Sequence, residues 1–239
     1  MTQILSRKEL KARARGLLDG RYGFLASVFL LVTGSNPAMS FVLGRVFPGG
    51  MLNLFLLVLQ FACTALMNIL YYLLVFGQTR IFLKLCAGEP QQYSDLLFAF
   101  QNHPEPVAAF SVLQFVLQEI AFEGFFEVIR SLLRDPASSL TTILLWSAFM
   151  IFFVWLQLGL AYVPYLYNES PWSTFRELIS KSWKLAKGQR WRLFVLQFSF
   201  IGINLLCALS FGIGLLFAQP YQQTTLTLFY RSLREEHDL

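Results

Sequence analysis

VFPGGMLNLFLLVLQFACTALMNILYYLLVFGQT, residues 46–79, contains no Asp, Glu, Lys or Arg. A helix of about 20 apolar residues spans the roughly 30 Å hydrocarbon core of a bilayer. Three further charge-free runs, residues 22–44, 136–168 and 193–230, share its composition. The last would be about 57 Å long as a single helix, nearly twice the core. It is expected to fold back at Ser210-Phe211-Gly212-Ile213-Gly214. The fold class expected from these runs is all-α, a polytopic membrane helix bundle forming a single membrane domain over residues 1–239.

Composition agrees. The 239 residues are 56% apolar and only 14% charged, with 25 Phe, whereas soluble domains are about 25% charged. The formal net charge is +5. The cations cluster beside the apolar runs, which points to the lipid bilayer and its anionic headgroups as partners, with no nucleic acid. Cys63, Cys86 and Cys207 imply no disulfide framework, and His103 and His237 have no ligand partners at useful spacing. No metal, cofactor or catalytic residue is expected. No serine–histidine pairing, metalloprotease motif or phosphate-binding loop is present.

Residues 1–21 carry Arg7, Lys8, Lys11, Arg13, Arg15 and Arg21. Ser6-x-x-Glu9 reads as a capping box, and Leu10, Ala14, Leu17 and Leu18 form one apolar stripe. An interfacial amphipathic helix is expected over 6–21. This basic stretch is longer than the start of a signal peptide, and no clear cleavage site follows it. The first span, 22–39, is therefore expected to be retained, with Asn36-Pro37 weakening its end. A second span over 51–76 follows Pro48-Gly49-Gly50. Gly88-Glu89-Pro90 reads as a turn, residues 94–100 as a short interfacial helix, and His103-Pro104-Glu105-Pro106 as a break.

The helix expected over 107–134 is ambiguous, because its second half carries Glu119, Glu123, Glu127, Arg130 and Arg134. At 100° per residue these five occupy a wedge of about 80°. The helix either crosses the membrane or lies on it. A second basic cluster (Arg176, Lys181, Lys184, Lys187, Arg190 and Arg192) coincides with an interfacial helix over 174–190. Both basic clusters belong on the cytoplasmic side, which requires an even number of crossings between them. The 107–134 helix therefore has to cross, as does 140–162. Two short spans, 193–209 and 212–230, complete six, with both termini cytoplasmic. Trp172, Trp183, Trp191 and Tyr230 lie at positions suited to an aromatic belt.

A shift of 168 residues superposes the two basic helices. Ser6-x-x-Glu9-Leu10 falls on Thr174-x-x-Glu177-Leu178, Arg13 on Lys181, Leu17 on Leu185 and Gly20 on Gly188. A third copy would start at Ser94-Asp95-Leu96. The implied unit is a parallel repeat of interfacial helix plus transmembrane hairpin.

In the C-terminal third, Tyr162-x-Pro164-Tyr165 is followed by Ser182 and by Lys187-Gly188-x-Arg190-Trp191-Arg192-Leu193-Phe194. Phe200-Ile201-Gly202, Gly212-Ile213-Gly214 and Pro220-Tyr221 come next. With Arg7-x-x-Leu10-Lys11-x-x-Ala14-Arg15 at the start, this order resembles the bacterial integral membrane family called domain of unknown function 975. The stretch 100–140 departs from it. The resemblance implies a polytopic bacterial inner-membrane protein and brings no reaction, cofactor or catalytic residue.

Two sets of candidate functional residues follow. A polar pathway would use Glu119, Glu123, Glu127, Arg130 and Arg134 with Gln222, Gln223 and Thr224 of the polar sixth span. The alternatives are solvated ion pairs at a helix end and hydrogen bonds between helices. Anionic-lipid contact would use Arg7, Lys8, Lys11, Arg13, Arg15, Lys181, Lys184, Lys187, Arg190 and Arg192. Pro164 and Pro220 either open helices for a ligand or kink them. The reading favoured is a non-enzymatic accessory or assembly component with a membrane-protein partner. A small transporter or channel subunit is the alternative, and a lipid-active interfacial enzyme a third.

Overall fold

The structure, a computed structural model, describes residues 7–46, 54–134, 139–210 and 214–236. Among them it is all-α. The order is α1 Arg7–Leu18, α2 Tyr22–Val46, α3 Leu54–Ala87, a 3₁₀ turn Tyr93–Leu97, α4 Phe98–Gln101, α5 Glu105–Arg134 and α6 Ser139–Leu160. Then come α7 Val163–Glu169, α8 Phe175–Ala186, α9 Arg190–Phe198, α10 Ile201–Leu209 and α11 Leu215–Glu236.

Three stretches are long and apolar enough to cross a bilayer: Val58–Ala87, Leu140–Glu169 and Arg190–Leu209. A fourth arises if Arg7–Leu18 and Tyr22–Ser35 count as one span, but these meet at 99°. A near-right angle is the geometry of a helix lying in the interface before a crossing. The expected crossings over 107–134 and 212–230 are not among these stretches. The charges of α5 and the amides and hydroxyls of α11 set them apart. Outward positions elsewhere are strongly apolar, with Leu144, Leu145 and Ile151 of α6 and Leu205, Leu206 and Leu209 of α10 all exposed.

Several boundaries move. α2 runs through Asn36-Pro37 to Val46. α3 continues eleven residues past Phe76, because Arg80 and Lys84 find a partner in Asp95. Gly88 ends it at φ 77, where only glycine is at ease. The Gly88 and Glu89 amides donate to the Leu85 and Lys84 carbonyls, closing a Schellman motif. Pro164 sits in the first turn of α7, so it starts a helix rather than kinking one. The span expected over 193–209 is interrupted at Ser199-Phe200 between α9 and α10. Residues 94–100 form a 3₁₀ turn and a single α-turn, not an amphipathic helix. Thr174 is the N-cap of α8, but its side chain makes no capping hydrogen bond. Ser6 and the 211–213 part of the fold-back turn lie outside the described residues.

The two basic helices bury the same register. Leu10, Ala14 and Leu18 are buried in α1, and Leu178, Ser182 and Ala186 in α8, each pair 168 apart. Gly20 and Gly188 follow with φ of 75° and 83°. Contacts of α1 and the start of α2 with α11 run in opposite order along the chain. Arg7 and Leu10 share a cavity with Phe229, Arg15 lies over Tyr221, and Tyr22 meets Phe217. α11 is therefore enclosed by α1, α2, α3 and α10, and Thr224, Thr225 and Thr227 are fully buried.

Candidate functional site

Arg80 and Lys84, four residues apart, share one face of α3. The 3₁₀ turn lies directly against that helix. A Cβ added at Gly77 would sit 2.1 Å from the Leu96 carbonyl oxygen, so only glycine admits this approach. Docking places Asp95, 7% exposed, beside the two cations. Its Oδ1 is 2.5 Å from Lys84 Nζ and 3.5 Å from Arg80 Nε, and its Oδ2 accepts the Gln92 amide at 3.0 Å. The Arg80 guanidinium also stacks on Phe98 at 3.6 Å.

α7 locks onto the same end. The Tyr167 hydroxyl donates to the Asn102 and His103 carbonyls. The Asn168 amide donates to the Phe76 carbonyl at 2.9 Å and the Pro164 carbonyl at 2.8 Å. Its Oδ1 is buried without a partner among the described residues. Glu169 binds Arg234 of α11 at 2.9 Å. Two cavities open here. One, of about 260 Å³, is lined by Arg80, Leu83, Lys84, Ala87, Glu89, Asn168, Glu169 and Arg231. The other, of about 350 Å³, is lined by Leu166, Glu169, Ser170, Lys181, Lys184, Leu185 and Arg234.

The expected lipid-contact residues divide by environment. Lys8, Arg13 and Lys187 are exposed. Arg7 and Arg192, from different halves of the chain, line one further cavity with Trp191 and Phe229. Lys11 lies 4.9 Å over Phe200, and burial, then Arg7 and Arg15, push its ammonium pKa down. Arg15 faces Tyr221. Lys181 donates to Ser173 Oγ at 3.3 Å, and Lys184 lines the larger cavity. Arg190 is held 4.2 Å from the rings of both Trp155 and Trp183, occupied by packing rather than presented outward.

Glu119, Glu123, Glu127, Arg130 and Arg134 all stand exposed on the C-terminal half of α5. Arg130 reaches Glu127 at 2.9 Å and Glu123 at 3.9 Å. None of the five lines the cavity that Gln223 enters. That cavity, of about 440 Å³, lies where α6 gives way to α7. Gln157, Gln197, Thr79 and Tyr162 share its wall with apolar residues, and Gln157 exchanges amide hydrogen bonds with buried Gln114 at 2.8 and 3.1 Å. Gln222 instead donates to Asn204 of α10 at 2.5 Å. Thr224 Oγ donates to the Pro220 carbonyl within α11.

Sequence reasoning did not single out Asp95, Asn168, Glu169, Arg231 or Arg234 as a group. The available signal was that Asn168, Glu169, Arg231 and Arg234 lie at or just beyond the end of an apolar run, whereas Asp95 carries no such mark. Among the described residues no cluster of three or more His, Cys, Asp or Glu side chains is arranged to hold a metal ion.

Residues 1–237 match the family model described as protein of unknown function (DUF975). No curated protein and no solved structure matches the chain. With all but its last two residues covered, the chain belongs to the DUF975 family.

Proposed function

We propose that this chain is a multi-pass protein of a bacterial inner membrane, acting as a non-enzymatic accessory or assembly component. Its basic end is seated on anionic headgroups, and its apolar flanks face lipid and a membrane-protein partner. One observation carries the reading. Cations from α1, α3, α8, α9 and α11, distant in sequence, gather around shared cavities where apolar stretches end. That is the distribution the positive-inside rule asks for. α2, α3, α5 and α6 then make four crossings between the basic helices α1 and α8. α9–α10 and α11 form a returning hairpin, giving six traverses with both termini cytoplasmic. The shared burial register of α1 and α8 supports descent of the two halves from one unit.

The test is thermal stability in bilayer discs of phosphatidylcholine with rising phosphatidylglycerol. Stability is expected to climb with the anionic fraction and to fall with salt. Replacing Lys8, Arg13 and Lys187 with Gln should remove much of the gain, at about 1 kcal/mol of membrane attraction per cation. No response to anionic lipid would overturn the reading.

A second reading, passage of a small neutral solute, draws on the 440 Å³ cavity and its three glutamines. It requires proteoliposomes to leak small uncharged solutes and Gln223→Leu to stop the leak.

A further inference from the structure

We infer that the two cavities flanking Glu169 form one site for a phospholipid headgroup that carries two phosphodiesters joined by a glycerol, as in cardiolipin. The inference rests on the headgroup reading above and sharpens it. Each cavity holds three cations: Arg80, Lys84 and Arg231 in one, Lys181, Lys184 and Arg234 in the other. Glu169 lines both, so they are neighbours across a single side chain.

Protein carboxylates pair with only three of these six cations, although Glu89 also lines the first cavity. Asp95 engages Arg80 and Lys84, and Glu169 engages Arg234. Arg231, Lys181 and Lys184 have no carboxylate in ion-pair range among the described residues. Arg231 is half-buried, while Lys181 and Lys184 stand at the exposed rim, and cations gathered without counter-charges favour an anion that brings its own. Arginine binds a phosphodiester with paired N–H donors, while lysine supplies a point charge.

The orphan acceptor adds a second requirement. Both Asn168 amide hydrogens are committed to carbonyls, and its Oδ1, on a residue that lines the first cavity, is buried with no donor among the described residues. A buried acceptor without a donor is costly, and the free hydroxyl of a bridging glycerol supplies one. Position selects lipid over a soluble ligand. Val58–Ala87 carries Arg80 and Lys84 in its last turns, and Leu140–Glu169 ends on Glu169. Acyl chains would leave the cavities along these apolar flanks. Two phosphates on one molecule match two adjacent cationic cavities, where a lipid with one phosphate fills only one.

The experiment is native mass spectrometry and thermal shift on the purified full-length protein. It is delipidated in detergent and offered cardiolipin, phosphatidylglycerol, phosphatidylcholine or inorganic phosphate. One cardiolipin per chain is expected to be retained, at least tenfold more tightly than one phosphatidylglycerol, with phosphatidylcholine and phosphate weakest. Arg231→Gln and Lys184→Gln should each weaken cardiolipin about tenfold, the scale of one charge-assisted hydrogen bond. Arg231→Lys should keep most of the affinity, which guards against a folding defect. Arg13→Gln, on the exposed face of α1, should weaken cardiolipin and phosphatidylglycerol alike, and by less than Arg231→Gln.

Equal affinity for cardiolipin and phosphatidylglycerol, or an equal loss from Arg13→Gln and Arg231→Gln, would overturn the site while leaving general headgroup attraction standing. Stabilisation by inorganic phosphate equal to that by cardiolipin would make it a soluble-phosphate site and overturn the lipid assignment. No response to any anion would overturn both readings.

Discussion

Arg190 holds three helices together. Its guanidinium lies 4.2 Å from the rings of Trp155 on α6 and Trp183 on α8, whose centroids are 4.9 Å apart edge to face. Gly159 makes room, since a Cβ there would meet Trp183 and Arg190 at 3.0–3.3 Å. Ser182 Oγ donates to the Gly159 carbonyl at 2.6 Å. The Lys-Gly-x-Arg-Trp motif thus acts here as a clamp. Arg190→Lys keeps the charge but loses the planar guanidinium that meets both rings, and is expected to cost about 1–2 kcal/mol in detergent thermal unfolding. Unchanged stability would remove the clamp from the account. Gly77→Ala forces the Leu96 backbone off α3 and should cost about 1–3 kcal/mol. Limited proteolysis should then cut more readily within residues 88–104, because Asp95 no longer anchors that segment. Arg190 was legible as part of a motif but not as a clamp, because its partners come from a different helix. Gly77 was not legible, since glycine in an apolar run carries no local mark of a backbone laid against it.

At the scale of elements, α5 and α11 show how polar residues near apolar runs divide. Glu119, Glu123 and Glu127 of α5 fall on one wedge by spacing alone, and the structure leaves them exposed, with Arg130 reaching Glu123 and Glu127. Exposed pairs of this kind contribute about 0–1 kcal/mol. Glu123→Gln with Glu127→Gln should therefore shift unfolding by no more than about 0.5 kcal/mol. A large loss of stability would show that the stripe is enclosed in an assembly. α11 reads as polar in sequence but is wrapped by neighbouring helices, and Thr224, Thr225 and Thr227 return their hydroxyls to carbonyls four residues earlier. Toward other helices, its Gln222 side chain bonds Asn204 of α10 and its Arg234 bonds Glu169 of α7. Gln222→Leu should cost about 1 kcal/mol and leave Thr224→Val nearly silent, as thermal shift of the two variants would show. Periodicity located both helices. It did not reveal the break at Ser199-Phe200, because no Pro or Gly marks that point.

For the whole molecule, the charge-free runs disclosed the all-α class, and charge clustering disclosed which residues meet at one end. The clusters at 7–21 and 176–192 set the orientation expected from the sequence. The structure adds Arg80, Lys84, Arg231 and Arg234, brought beside them by helix ends that no local pattern relates. Central to the proposed function is that all these cations share one membrane face, opposite the C-terminal end of α5. Single-cysteine labelling tests this most directly, in a version lacking Cys63, Cys86 and Cys207, using a membrane-impermeant thiol reagent on intact cells and on inside-out vesicles. Cysteines at positions 13, 89 and 187 should label only in inside-out vesicles, and cysteines at 127 and 134 only in intact cells. Labelling of 127 or 134 from the same side as 13 and 187 would contradict the account.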